Sequence, residues 1–180
     1  MTFEELIVRA RGGDGAAYAQ LWRTFNPPLV RYLGVMAGRD AADDLASTTW
    51  LEVVRGLGRF RGDEAHFRAW IFTIARHRFL DQRRMERRRP STVPELEIDI
   101  SGDAEATHLA FDTAEGTRRA LEMISMLSPD QAEAVMLRVV ADLDVDSVAR
   151  IMRKRPGTVR VLAHRGIRRL AELLPDEPEP

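Results

Sequence analysis

The densest cluster of chemically active side chains lies near the C-terminus, between Arg150 and Leu170. This stretch holds eight arginine or lysine residues and no acidic residue, although the whole chain has a net charge of −1. At helical spacing, Arg160, His164 and Arg168 fall on one face. Guanidinium groups bind phosphates and form bidentate hydrogen bonds with guanine edges. The pattern therefore predicts a helix face that binds nucleic acid.

A second candidate surface combines arginines with aromatic rings in the first half of the chain. Its members, spaced to lie near one helix face, are Arg68, Phe72, Arg76, Phe79 and Arg83. Rings stack on unpaired bases, and guanidinium groups hold the backbone of a single strand. The preceding loop, 60–65, has a composition suited to a pocket for an unstacked base. The alternative left open is that the two phenylalanines are core residues and the arginines are solvated.

Other kinds of chemistry find no support in the sequence. The chain has no cysteine, which excludes disulfides and thiolate metal sites. Its four histidines lack the spacing of metal ligands, and it has no P-loop, GxGxxG or Ser-His-Asp arrangement. We therefore expect neither an enzyme nor a bound cofactor or metal. No apolar run approaches the roughly 20 residues of a membrane span, so we expect a cytoplasmic protein.

The basic stretch is predicted to belong to a helix-turn-helix. A short helix over 144–152, with Asp144 as its N-cap, is followed by the turn RKRPG and a longer helix over 156–173. The inward stripe predicted for the longer helix consists of Val159, Leu162, Ala163, Gly166, Ile167 and Leu170. In this arrangement the second helix enters a major groove, and its free N-terminal N–H groups are available to a phosphate.

The remaining periodicity predicts an all-α fold. We expect helices over 3–11, 16–25, 29–36, 41–57, 67–84 and 117–127, with a break at Pro27-Pro28. A further helix should open at Ser128-Pro129, with Ser128 as its cap. Its predicted core stripe comprises Ala132, Val135, Met136, Val139 and Val140.

Aromatic residues and charge divide the chain into two parts. Eleven of the twelve aromatic residues precede position 80, which suggests separate cores over 1–88 and 117–174. Residues 55–90 hold eleven arginines and four acidic residues, a balance of +7, whereas 91–115 hold seven acidic and no basic residues. We therefore predict two small helical domains joined by a flexible acidic linker over 89–116, with a tail over 175–180.

Four stretches in this order carry a resemblance to a known family. They are RARGGDGAAYAQLWRTFNPPLVRYL, DAADDLASTTWLEVVRGLGRFRG, FRAWIFTIARHRFLDQRRMERRR and LSPDQAEAVMLRVVADLDVDSVARIMRKRPGTVRVLAHRGIRRLAELL. Together they resemble a bacterial RNA polymerase sigma factor of the extracytoplasmic-function (ECF) group. The resemblance implies sigma domain two over 1–88 and sigma domain four, a helix-turn-helix, over 117–174, with no domain three.

The resemblance also implies a function and three sets of site residues. The chain would bind core RNA polymerase through its β and β′ subunits, direct transcription initiation from promoter DNA, and be held by an anti-sigma factor. The −35 element would be read by Arg155, Thr158, Arg160, His164, Arg165 and Arg168. The −10 element would be read and melted by Arg61, Asp63, Arg68, Phe72, Arg76, His77, Arg83 and Arg84. Core polymerase would contact Asp44, Leu45, Thr48, Thr49, Glu52 and Val53.

Three positions depart from the family pattern. Arg153 occupies a turn position often held by glycine, Val161-Leu162 replace a usual Ser-Arg pair, and His77 stands where asparagine is frequent. Two alternatives to a sigma factor remain open at this point. One is a stand-alone helix-turn-helix regulator with a helical sensor domain. The other is a structural helical protein, which would show no salt-dependent affinity for DNA.

Overall fold

The computed structural model describes residues 1–88 and 108–174, and these residues form helices and connecting turns with no strand among them. The elements, in chain order, are α1 (Phe3–Arg11), α2 (Gly15–Ala37), α3 (Arg39–Leu57), α4 (Glu64–Arg88), α5 (His108–Ser125), α6 (Pro129–Val135), a π-helical turn (Met136–Val140), α7 (Val145–Met152) and α8 (Pro156–Leu173). The all-α prediction is confirmed. We call α1–α4 the N-terminal unit and α5–α8, with the π-helical turn, the C-terminal unit.

Side-chain caps and an aromatic cluster organise the N-terminal unit. Thr2 and Glu5 form a capping box at α1, and the Asp14 carboxylate accepts hydrogen bonds from Ala16 and Ala17 at the start of α2. These backbone N–H groups, that of Ala17 foremost, hold the pKa of Asp14 below its usual range. The aromatic rings that pack together around the start of α4 are Phe3, Phe25, Phe60, Phe67 and Trp70.

The predicted break at Pro27-Pro28 is wrong, because α2 continues through both prolines. Proline removes a backbone donor and crowds the preceding turn, which costs about 3 kcal/mol in a helix interior. The face that α2 buries outweighs this cost, since large side chains on both sides of the prolines lie in one core. These side chains are Leu21, Phe25, Leu29, Tyr32 and Leu33, each at most 1% exposed.

The C-terminal unit contains the predicted helix-turn-helix. Asp144 caps α7, accepting from the backbone N–H of Ser147 at 2.8 Å and from its hydroxyl at 2.6 Å. Ser128 precedes α6 as predicted, but its side chain makes no capping hydrogen bond. The predicted stripe fails at Val139, which is 59% exposed. The cause is the π-helical turn, where Ala141 N–H donates to Met136 C=O and one extra residue rotates the following face.

The two units pack against each other, whereas the sequence suggested two separate cores. Helix α2 contacts α5, α6 and the π-helical turn, and α4 contacts α7. The buried apolar residues of both units form one cluster. Most of the predicted linker lies outside the described residues, as does the tail over 175–180. Helix α5 begins at His108, inside the range predicted as linker.

Candidate nucleic-acid interface

Helix α8 presents the first predicted surface to solvent. Its buried face consists of Val159, Ala163 and Gly166, which pack the helix onto the unit below. All six side chains predicted for this site are exposed: Arg155, Thr158, Arg160, His164, Arg165 and Arg168. Ile167, predicted to point inward, is 50% exposed and belongs to the outer face. Sequence periodicity therefore placed the basic side chains correctly and misplaced one apolar residue.

The basic face of α8 is little neutralised by the protein itself. Among the side chains described, those of 1–88 and 115–174, no ion pair engages Arg155, Arg160 or Arg165, and Arg168 lies 3.6 Å from Glu172. Arg155 occupies the N-cap position without a side-chain capping bond, and Pro156 follows in the first turn. The first N–H groups of α8 therefore have no side-chain cap, as an anion-binding helix end requires.

The turn before α8 has a left-handed residue. Arg153 adopts φ 54° and ψ 43° at the end of α7, and its N–H donates to the Arg150 carbonyl. Lys154 then bonds the Ala149 carbonyl through its N–H and reaches Asp130 of α6 with its ammonium at 2.8 Å. The turn thus keeps the geometry usually provided by glycine, with an arginine in its place.

The second predicted surface, on α4, is altered by the structure. Phe72 is completely buried and Phe79 is 3% exposed, so neither ring is available for stacking on a base. Phe72 packs edge-on against Tyr32, with ring centroids 5.5 Å apart. The prediction that Phe72 contacts the −10 element is therefore wrong, and both phenylalanines are core residues. A period of 3.6 cannot tell which side of a helix faces solvent when both sides carry apolar residues.

Two of the predicted α4 arginines lie at the contact between the units. Arg76 Nε lies 2.7 Å from Glu133 Oε1 of α6, with the Arg76 side chain only 14% exposed. Arg68 forms an ion pair with Glu64 at 2.9 Å and stacks over the Phe25 ring at 5.2 Å. Its Nη1 also lies 3.5 Å from the Ala141 carbonyl of the C-terminal unit. In this arrangement the C-terminal unit covers both arginines.

The other residues predicted for this surface lie in solvent. His77, Arg83 and Arg84 are exposed on α4, and Arg83 also stacks on the edge of the core at Phe79. Asp63 precedes α4 and accepts from the backbone N–H of His66 at 2.9 Å. That hydrogen bond, followed by the His66 ring, holds the pKa of Asp63 below its usual range.

Arg11 fixes the loop that carries Arg61 and Asp63. From the end of α1, its guanidinium donates to the Leu57 carbonyl at 3.1 Å and to the Phe60 carbonyl. The Phe60 ring stacks on Trp70 with an interplanar angle of 22°. The start of the loop is therefore held by α1 and α4, while the Arg61 side chain is exposed.

Helix α3 holds the residues expected to contact polymerase, and half of them are buried. Leu45, Thr49 and Val53 are at most 6% exposed, so they position α3 within its own unit and offer no face to a partner. Thr49 satisfies its hydroxyl on the Leu45 carbonyl at 2.7 Å. Asp44 and Thr48 are exposed, and the half-buried Glu52 lies 3.0 Å from Arg78 of α4.

Three residues that the structure brings forward were missed from the sequence. Leu51 and Val54 are 57% and 51% exposed, outside the buried face of α3. Leu51 could have been predicted, because it follows Asp44 and Thr48 at helical spacing and so lies on the same face of α3. Glu133, only 5% exposed, had no local signal, since both of its partners lie in another unit.

Two kinds of feature are absent from the described part of the chain. Across 1–88 and 108–174 there is no group of three or more His, Cys, Asp or Glu side chains placed to hold a metal ion. No helix in those ranges has the combined length and apolarity that crossing a membrane requires.

Comparison with known proteins defines the class of this chain. Residues 21–89 match the family model for sigma-70 region 2, and residues 117–170 match that for sigma-70 region 4. In this chain, region 2 lies in the arginine-rich four-helix unit and region 4 in the unit with the basic helix-turn-helix, in that order. The chain therefore belongs to the sigma-70 family of RNA polymerase sigma factors.

Relatives place it in the ECF group. The ECF RNA polymerase sigma factor SigD of Mycobacterium tuberculosis is 30% identical, over 94% of this chain and 82% of that protein. BldN of Streptomyces coelicolor, also an ECF sigma factor, is 31% identical over 96% of this chain and 66% of its own length. The function that follows is that of an alternative sigma factor in transcription initiation, which rules out the stand-alone regulator.

Solved structures share the fold. RpoE of Bartonella quintana, crystallised with the anti-sigma factor NepR, gives a TM-score of 0.64 at 23% identity, over 89% of this chain and 98% of that one. CnrH, in complex with the cytosolic domain of CnrY, gives 0.62 at 18% identity, over 95% and 96%.

Proposed function

We propose that this ECF sigma factor reads the −35 element with α8 and the −10 element with α4 and the loop before it. The observation that carries the proposal is the exposed basic face of α8. It stands on a capped helix-turn-helix, and its central arginines lack acidic partners in the described ranges. A helix so placed fits the major groove.

On α8 we assign two roles to the exposed side chains. Arg160, His164 and Arg165 lie toward the middle of the outer face and are proposed to contact base edges. Arg155, Thr158 and Arg168 flank them and are proposed to bind phosphates, together with the first N–H groups of the helix. Each base contact contributes roughly 1–3 kcal/mol of discrimination, and each phosphate contact makes binding more sensitive to salt.

For the −10 element we propose Arg61, Asp63, His77, Arg83 and Arg84 as the residues accessible at once. Arg68 and Arg76 join them only when the C-terminal unit moves away from α4. A base that leaves the duplex costs a few kcal/mol in lost stacking, which contacts in the fixed loop would offset. Phe72 has no direct part, because it is buried beneath this surface.

For core polymerase we propose the exposed stripe of α3. Asp44 and Thr48, predicted from the sequence, continue into Leu51 and Val54, two apolar side chains that α3 leaves in solvent. Apolar residues beside polar ones are typical of protein–protein contact surfaces. Glu52 contributes at the border, where it already pairs with Arg78.

The test is reconstitution with bacterial core RNA polymerase and sheared genomic DNA, followed by sequencing of transcript 5′ ends. We expect starts that share an upstream two-part motif. Arg160→Ala with Arg165→Ala should remove the −35 part of that motif. Starts without a shared motif, or no transcription despite DNA binding, would contradict the proposal.

The control removes the same charge elsewhere. Arg23 and Arg119 are exposed on α2 and α5, two helices that carry none of the residues proposed for the three surfaces. The double variant Arg23→Ala with Arg119→Ala should keep the full motif. A loss of the −35 motif in this control as well would show a general charge effect and remove the support for base contacts by α8.

We also propose an anti-sigma partner, because the sigma factor RpoE was crystallised in complex with the anti-sigma factor NepR. A groove of about 690 Å³ between the units, lined by α2, α3, α4 and α5, offers a mixed apolar and charged site. Gly34 lines it, and a side chain built there meets nothing within 4 Å. A photo-crosslinking residue at position 34 should capture a protein in the native host, whereas one at Gly15 of the same helix should not.

A further inference from the structure

Glu133 of α6 is a buried carboxylate whose partners both belong to the other unit. Its Oε1 accepts from the Tyr32 hydroxyl of α2 at 3.1 Å and from Arg76 Nε of α4 at 2.7 Å. Tyr32 is completely buried and Glu133 is 5% exposed. We call Glu133, Arg76 and Tyr32 the interunit bridge. Burial, reinforced by Glu133, raises the pKa of Tyr32 well above its usual value, so its hydroxyl stays protonated and donates.

A carboxylate in such a place depends on both donors. An ionised group removed from water is tolerated only when it is paired and hydrogen-bonded. Glu133 finds neither donor in its own unit, so it is satisfied only while the units are together. When they separate, water replaces both donors. The hydrogen bonds of the interunit bridge therefore form only in the closed arrangement. The apolar contacts around the bridge are less selective for that arrangement.

The same arrangement covers the arginines of α4. Arg76 is held by Glu133, and Arg68 Nη1 lies 3.5 Å from the Ala141 carbonyl. The Glu133 carboxylate occupies the position at Arg76 that a phosphate oxygen of DNA would take, since both are anions that guanidinium groups bind.

We propose that the interunit bridge holds the sigma factor in a closed, DNA-excluding state without any partner protein. Opening breaks the bridge and releases Arg68 and Arg76 for a nucleic-acid strand. The closure itself rests only on the contacts above, and its effect on DNA rests on the −10 role proposed for α4. In the closed state, the face of the C-terminal unit that carries Glu133 is covered by α4 of the same chain.

The closure is measured by the distance between two spin labels on the full-length chain. Because the chain has no cysteine, Thr24→Cys and Ala171→Cys, both at exposed positions in different units, accept the labels alone. The doubly labelled chain with an intact interunit bridge should show one main distance between the two labels. Glu133→Gln keeps the shape but removes the charge, and should raise the ratio of long-distance to short-distance molecules by at least roughly tenfold.

Asp130→Asn is the matched control, because it removes the same charge from the same helix. Asp130 pairs with Lys154 inside the C-terminal unit, at 2.8 Å. Its distance distribution should equal that of the parent. Arg76→Gln breaks the bridge from the other unit and should open the molecule as Glu133→Gln does, which keeps the test decisive if either variant folds poorly. A parent-like distribution in the folded variants overturns the closure.

Release of the arginines is measured with a fluorescent single-stranded DNA of about fifteen random nucleotides at fixed salt. Glu133→Gln and Asp130→Asn have the same net charge, so general electrostatic attraction is equal in both. We expect Glu133→Gln to bind at least roughly fivefold more tightly. Equal affinities overturn the DNA-excluding role. These readouts need no polymerase, so failure of promoter-directed transcription would contradict the proposed function and leave the closure standing.

Discussion

Arg153 has a left-handed backbone at the turn between α7 and α8, with φ 54° and ψ 43°. A side chain in this region brings Cβ close to the following carbonyl, at a cost of roughly 1 kcal/mol that glycine avoids. We expect Arg153→Gly to raise the free energy of unfolding by about 0.5–1 kcal/mol, measured by urea denaturation.

Arg155 provides the comparison for that change. It has φ −73° and ψ 146°, an extended backbone that any residue adopts. Arg155→Gly removes the same charge two positions later without relieving strain, and should be neutral or destabilising. An equal gain in both variants would attribute the effect to charge and contradict strain at Arg153.

Helix α7 depends on the carboxylate that caps it. The Ser147 hydroxyl, followed by the Ser147 backbone N–H, holds the pKa of Asp144 below its usual range. A lowered pKa in the folded state means that the stabilisation is fully present above the ordinary aspartate pKa, about 3.9, and is lost as the pH falls through the lower folded value. We expect Asp144→Ala to cost about 1 kcal/mol at neutral pH.

Asparagine separates the cap from its titration. Asp144→Asn keeps an N-cap acceptor but has no acidic pKa. The difference in stability between the parent and Asp144→Asn should therefore be constant above about pH 5 and change only in more acidic solution. A difference that varies around neutral pH would contradict the assignment, and chemical denaturation across pH measures it.

Helix α8 approaches α6 closely at one glycine. A Cβ built on Gly166 would lie 2.7 Å from Val135 Cγ2 and 3.4 Å from Leu127 Cδ1. Valine has a stiff side chain in a helix, so the neighbour gives way poorly. Despite the better helix propensity of alanine, we expect Gly166→Ala to lower the free energy of unfolding by about 1–2 kcal/mol in urea denaturation.

Gly157 near the start of the same helix is the control, because a Cβ there meets nothing within 4 Å. Gly157→Ala should be neutral or slightly stabilising. If Gly166→Ala matched it, the close approach of α8 to α6 would be wrong.

At the scale of the whole molecule, the shared core predicts that the units unfold together. All three tryptophans, Trp22, Trp50 and Trp70, lie in the N-terminal unit, so fluorescence reports on that unit alone. Circular dichroism reports on the helices of both. We expect the two signals to give one coincident urea transition in the parent. Separate midpoints would show that the contact between the units contributes little to stability.

The local sequence pattern was sufficient to predict features that depend only on residues close by in the sequence. The bounds of α1, the Asp144 cap and the exposed basic side chains of α8 all follow from spacing, capping and turn residues, and these interactions span at most a few positions. The order of the four quoted stretches was enough for the family as well.

The tertiary structure decided what depends on distant partners. Helix α2 passes through Pro27-Pro28 because the burial of side chains on both sides outweighs two lost hydrogen bonds, an outcome that no local rule contains. Phe72 and Arg76 share a helix face pattern, yet one is core and the other is bound by Glu133, 57 residues away. Burial and ion pairing are properties of the folded whole, and a one-dimensional period specifies which residues share a face but not what that face meets.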